Sequence, residues 1–135
     1  ASTGNRFEAG NKPMSTMAPT MVFNKNNDLM LITGSPGGSL IPAAILRVIS
    51  GVIDFNLDIG QATMLPRVHK DWPTTGILYE RTLNADSING IRKIGHKMTP
   101  EHTMGSTQSI HIKDGVNYGY ADLRRPNASV ATQAN

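Results

Sequence analysis

Chemistry in this chain would centre on the run Thr33-Gly34-Ser35-Pro36-Gly37-Gly38-Ser39, where an apolar strand ends and a long apolar helix begins. Gly37 and Gly38 carry no Cβ, so their backbone can approach a ligand closely and take φ angles that other residues avoid. Their N–H groups fall where the coming helix leaves its first donors unpaired. Such a corner can hold a negative oxygen, on a bound phosphate or on the tetrahedral carbon of an acyl transfer. The phosphate reading lacks support from spacing. No Lys stands where a P-loop needs one, G-x-G-x-x-G is absent, and Pro36 removes one N–H from the cradle. The plain alternative is a turn with no chemistry.

Other candidates are weaker taken singly. Ser15 and Thr16 are adjacent hydroxyls just before a strand, and without a neighbouring base neither is a nucleophile. Turn formation or capping is their ordinary role. His69, His96, His102 and His111 show no i, i+4 pair, and no cysteine exists to complete a zinc site. His69, beside Lys70 and Asp71, reads as a surface loop residue. Asp54 and Asp58 flank a helix end and read as caps. Arg67, and Asp122 with Arg124, read as ion pairs that hold loops.

These residues need elements to position them. Pro19–Phe23 and Leu29–Thr33 read as strands of a hairpin around the turn residues Asn24–Asp28. The second strand is continuously apolar, which predicts burial on both faces. Ile41, Ile45, Val48, Ile49 and Val52 mark one face of a helix, with Ser39 as its cap and Pro42 in its first turn. Its other sides are also apolar, which predicts an interior layer. A short helix is expected over Asp58–Met64 and a strand over Ile77–Glu80. Asn84 should cap a helix that carries Asp86 early, Arg92 and Lys93 late, and Gly95 just beyond. Leu83 and Ile88 are placed as its hydrophobic staple. Thr107–Lys113 and Asn117–Ala121 form a second hairpin through Asp114-Gly115. The pattern predicts a layered α+β fold without a parallel βαβ series.

At 135 residues the chain holds one domain with a real core. It divides into an irregular arm (1–13), a folded region (14–125) and a loose tail (126–135). Hydrophobic content of 39% with 17% charged residues fits a packed chain. The net charge of +3 is dispersed and only 5% of residues are aromatic, which argues against a nucleic-acid footprint. Absence of cysteine excludes disulfides and thiolate chemistry but fixes no compartment. No apolar run approaches the ~18–20 residues of a membrane-spanning helix. The opening Ala1-Ser2-Thr3-Gly4-Asn5-Arg6 looks like neither a signal peptide nor a natural initiator, so a fragment or processed subunit is expected.

Together the motifs are far more specific. Lys12-Pro13-Met14-Ser15-Thr16-Met17-Ala18-Pro19-Thr20 precedes the hairpin that leads to Thr33–Ser39. Ala62-Thr63-Met64-Leu65-Pro66-Arg67-Val68-His69, Met104-Gly105-Ser106-Thr107-Gln108-Ser109-Ile110 and Tyr118-Gly119-Tyr120-Ala121-Asp122-Leu123-Arg124-Arg125 follow in order. This series resembles the small subunit of gamma-glutamyltransferases over nearly all residues from Lys12 onward. The resemblance implies part of an N-terminal nucleophile hydrolase αββα sandwich, with antiparallel sheets covered by helices. It implies cleavage of the γ-glutamyl amide of glutathione-like compounds and transfer of the acyl group to water, an amino acid or a peptide.

By that resemblance Gly37 and Gly38 supply the oxyanion hole, and Ser15 and Thr16 bind the substrate's α-carboxylate. No cofactor or metal is implied. The large subunit and the N-terminal part of the small subunit are the expected partners, and a periplasmic or extracellular setting is expected. The family's nucleophile is the N-terminal Thr of the small subunit, in a T-x-H-x-S-like motif. No such motif precedes Ser15 here, and Thr3 is no substitute. The chain alone is therefore expected to be inactive and prone to self-association. A non-catalytic binding or scaffold relative is the alternative, and nucleotide-phosphate binding at the glycine corner is a third reading.

Overall fold

The computed structural model describes residues 7–73 and 76–133. Thr3, the start of the arm and the last two residues of the tail lie outside the described residues. In chain order the strands are β1 (Thr20–Phe23), β2 (Leu29–Gly34), β3 (Val68–His69), β4 (Gly76–Glu80), β5 (Lys97–Glu101), β6 (Gln108–Lys113) and β7 (Val116–Ala121). The helices are α1 (Ile41–Ile53), α2 (Ile59–Met64) and α3 (Ala85–Lys93), with a 3-10 turn at Gly38–Leu40.

Two hairpins laid side by side make the larger sheet, in the antiparallel order β1-β2-β6-β7. Asn24 shapes the first turn by accepting the N–H groups of Asn26 and Asp28, each at 2.9 Å. Asp114 and Gly115 close the second turn with φ of 52° and 77°, as a two-residue hairpin loop requires. Across β2 and β6, Thr33 sits opposite Ser109, and their buried hydroxyls are 2.8 Å apart.

The core gathers Leu31 of β2, Val48 and Val52 of α1, and Ile59 and Ala62 of α2. Burying the Leu, Val and Ile side chains contributes about 1.5–3 kcal/mol each, and the Ala62 methyl less. Asp58 starts α2 with a capping box, accepting from Gln61 N–H while the Gln61 side chain accepts from Asp58 N–H. Asn84 caps α3 through Ser87 N–H at 2.8 Å.

Several expectations are corrected. Only one face of β2 is fully buried, at Leu31 and Thr33. Its neighbour Ile32 lies in a half-open row between Met21 and Ile110, because the described residues provide no second layer there. Among the described residues α1 is covered on one side, and Leu46 and Ile53 are 65% and 47% exposed, the apolar patch expected of this helix where the chain stands alone. Ser39 does not cap α1. The 3-10 turn intervenes, and the carbonyls of Gly37 and Gly38 take up the N–H groups of Leu40 and Ile41. Asp54 and Asp58 do cap helices as expected, Asp54 at the end of α1, where its carboxylate accepts from Ser50 Oγ at 2.6 Å, and Asp58 at the start of α2.

The smaller sheet, β3-β4-β5, contains a parallel pair, β4 and β5, with α3 as the crossover. One βαβ unit is thus present, short of a series, where the sheets were expected to be antiparallel. Pro100 disguises β5 as a loop in the sequence, yet it is tolerated because β5 is an edge strand. Among the described residues no helix is long and apolar enough to cross a membrane.

Candidate active site

The corner after β2 adopts the backbone that its glycines allow. Gly37 has φ 144° and Gly38 φ 58°. A Cβ on Gly37 would stand 3.3 Å from the Gly105 Cα. Among the described residues, the N–H groups of Gly37 and Gly38 make no hydrogen bond within the fold. Two adjacent amide donors therefore remain for an external acceptor, the property an anion or oxyanion site needs.

The hydroxyl pair lies against this corner. Thr16 Oγ1 donates to Gly38 O at 2.7 Å, bridging 22 residues of sequence. Ser15 Oγ accepts from Met17 N–H at 3.3 Å, which leaves its own O–H able to donate elsewhere. Ser35 Oγ donates to Pro36 O at 2.8 Å and accepts from Ser106 N–H at 3.0 Å. Gly105, with φ 72°, passes so close that a Cβ there would lie 2.7 Å from Ser35 Oγ.

The segment Met104–Thr107 that backs the corner is anchored by a buried ionic cluster. Arg67 reaches Asp122 at 2.7 Å, and Arg124 grips Glu80 with two bonds of 2.7 Å. Arg124 also meets Asp122 at 3.1 Å. The four side chains are between 0% and 8% exposed. Glu80 accepts Met104 N–H at 3.0 Å, Asp122 accepts Thr107 N–H at 2.9 Å, and Arg67 donates to Met104 O at 2.6 Å.

Burial pushes the Glu80 carboxyl up, but the Arg124 hydrogen bonds and the N–H groups of Met104 and Arg67 outweigh it and hold Glu80 below its ordinary value. Burial acts the same way on Asp122, which the Arg124 N–H, the Arg67 charge and the Thr107 N–H bring below the usual range. Burial, then the like charge of Arg124, lowers Arg67, with Asp122 opposing. Arg124 is raised, since Glu80 and Asp122 overcome its burial.

Arg67, Asp122 and Arg124 thus form ion pairs, as their sequence expectation held. Glu80 was missed, since an acid at the end of Ile77-Leu78-Tyr79-Glu80 carries no sign that two remote arginines and two amides converge on it. Ser35 and Ser106 were missed as a pair because 71 residues separate them. His69 is not a surface residue. Its side chain is 11% exposed and Nε2 lies 2.7 Å from Asp71 Oδ1, while Ser39 donates to Asp71 Oδ2 at 3.3 Å.

The sheets, the covering helices and the amide corner define an N-terminal nucleophile hydrolase fold, the class to which the matching solved structures belong. The gamma-glutamyltranspeptidase family model matches residues 1–132, and the chain belongs to that family. It is 36% identical over 121 residues to a glutathione hydrolase proenzyme of Escherichia coli strain K12, covering 89% of this chain and 21% of that protein. It superposes on a T380A mutant of Helicobacter pylori gamma-glutamyltranspeptidase with TM-score 0.82 and 37% identity, covering 93% of this chain and 69% of that one. Against the Pseudomonas nitroreducens gamma-glutamyltranspeptidase complexed with L-DON the TM-score is 0.83 at 26% identity, covering 98% and 70%. The chain spans about a fifth of the length of the curated relatives it matches.

Proposed function

We propose that this chain forms part of the small subunit of a gamma-glutamyltransferase, which cleaves the γ-glutamyl amide of glutathione-like compounds. The acyl group then passes to water, an amino acid or a peptide. The observation that carries this reading is the pair of uncommitted N–H groups at Gly37 and Gly38 with the Ser15-Thr16 hydroxyls held beside them.

In this reading a nucleophile from outside these residues attacks the γ-carbonyl. The oxygen that gains charge accepts from the amides of Gly37 and Gly38, whose directions are set before the reaction and need no reorganisation during it. Ser15 donates its free O–H to the α-carboxylate. The Thr16 O–H is committed to Gly38 O and holds the pair at the corner. The large subunit and the preceding part of the small subunit complete the site.

The test is release of nitroaniline from γ-glutamyl-p-nitroanilide. The complete protein should turn the compound over, and the isolated 135-residue chain should not. Turnover by the isolated chain would overturn the account of an external nucleophile. A complete protein without turnover would favour the non-catalytic relative.

A further inference from the structure

We infer that Ser35 is a positioning residue that aims the Gly37 N–H into the proposed oxyanion site, an inference that rests on the oxyanion reading of the corner. In a trans peptide the C=O and N–H point in opposite directions within one plane. Pro36 O and Gly37 N–H share such a plane, so whatever fixes the carbonyl also aims the amide.

Two features make a lock necessary. Gly37 permits φ values closed to other residues, and Pro36 has a fixed φ but an unfixed ψ. The plane between them is therefore free to rotate unless something holds it. The Ser35 hydroxyl does so by donating to Pro36 O at 2.8 Å. The hydroxyl is itself pinned, because Ser106 N–H donates to it at 3.0 Å.

Ser106 stands on a rigid support, with Met104 and Thr107 on either side bonded to buried Glu80 and Asp122. The fold makes room for this contact at Gly105. A Cβ there would lie 2.7 Å from Ser35 Oγ and 3.2 Å from Pro36 O. The second donor is held differently. Gly38 N–H shares its plane with Gly37 O, which accepts Leu40 N–H at 3.1 Å. One amide is thus aimed by backbone and the other by a side chain that can be changed.

The experiment uses the complete enzyme with Ser35→Ala, Ser35→Thr and Ser35→Val, the last two alike in size and different in the hydroxyl. Readouts are kcat and KM for γ-glutamyl-p-nitroanilide, affinity for a boronic acid analogue of the γ-glutamyl donor, and Tm. A misplacement on the order of 1 Å costs about 100-fold in rate. Ser35→Ala and Ser35→Val should therefore lose up to about that factor in kcat, with KM within about twofold. Boronate affinity should fall in step with kcat/KM, and Ser35→Thr should restore both.

Unchanged kcat in Ser35→Val, or a rise in KM with kcat unchanged, overturns the proposal. Failure of both hydroxyl-free variants to fold, with Ser35→Thr active, assigns the hydroxyl to folding and also overturns it. An unsubstituted enzyme that neither turns over the donor nor binds the boronate refutes the oxyanion reading itself, which separates the two failures.

Discussion

Thr16 Oγ1 donates to the carbonyl oxygen of Gly38 at 2.7 Å, joining the loop ahead of β1 to the corner after β2. The bond closes the hairpin at its base and brings hydroxyls and amides to one place. A neutral hydrogen bond of this kind contributes about 0.5–1.5 kcal/mol. Thr16→Val in the complete enzyme should therefore lower kcat/KM by roughly 2- to 12-fold, and Thr16→Ser should stay near the parent. Steady-state kinetics with a γ-glutamyl donor decides it, and equal rates for Val and Ser variants would contradict the tether.

Ser15 is expected to behave differently, since its O–H is free to donate to a charged group. Hydrogen bonds to charged groups are worth about 1.5–3 kcal/mol. Ser15→Ala should raise KM for a γ-glutamyl donor by about 10- to 100-fold and change kcat less. A donor lacking the α-carboxylate should show no such difference between parent and variant.

The two glycines should respond unequally to alanine. At Gly37 a Cβ meets Gly105 at 3.3 Å and φ is 144°, whereas at Gly38 a Cβ meets nothing and φ is 58°. Gly38→Ala carries backbone strain of about 1–3 kcal/mol. Gly37→Ala adds a tight 3.3 Å contact with main chain and should lose about 100- to 1000-fold in kcat if its amide is displaced. Comparable rates for the two variants would contradict this geometry.

Asp122→Asn should be strongly destabilising, because Arg67 would remain buried beside Arg124 with its direct partner neutralised. Breaking such a buried pair costs about 3–5 kcal/mol. Denaturant unfolding of the complete protein reads this directly, and a loss under 1 kcal/mol would refute the assigned role.

The same cluster predicts an acid limb in stability. Glu80 and Asp122 are both held below their ordinary values in the fold. Groups depressed in this way contribute stability that is present above the unfolded value, near pH 4. The contribution is lost as pH falls through the lower folded values. Stability from this source should be level above about pH 5 and decline below it, with a shallower decline in Glu80→Gln. Thermal melts across pH 3–7 test the shape.

Much of the fold was legible because local rules suffice for it. Asn84 caps its helix, Asp114-Gly115 turns its hairpin, and the α1 pattern buries Ile41, Ile45, Val48 and Val52. The glycine corner was legible for the same reason, as was the family through its ordered motifs. The parallel β4–β5 pair escaped because β5 carries Pro100 and reads as a loop. Glu80, Ser106 and the Asp71 link between Ser39 and His69 escaped because each depends on residues brought together only by the tertiary fold.

The facing hydroxyls of Thr33 and Ser109 have a consequence for how this lineage can change length. Three residues, Gly34, Ser35 and Pro36, separate Thr33 from Gly37, so the Thr33–Ser109 pairing inside the sheet acts as a ruler for the corner. A deletion or insertion between Thr33 and Gly37 would carry the corner out of reach of Ser106. The Asn24–Asp28 turn bears no such measure, and length variation among homologues should collect there.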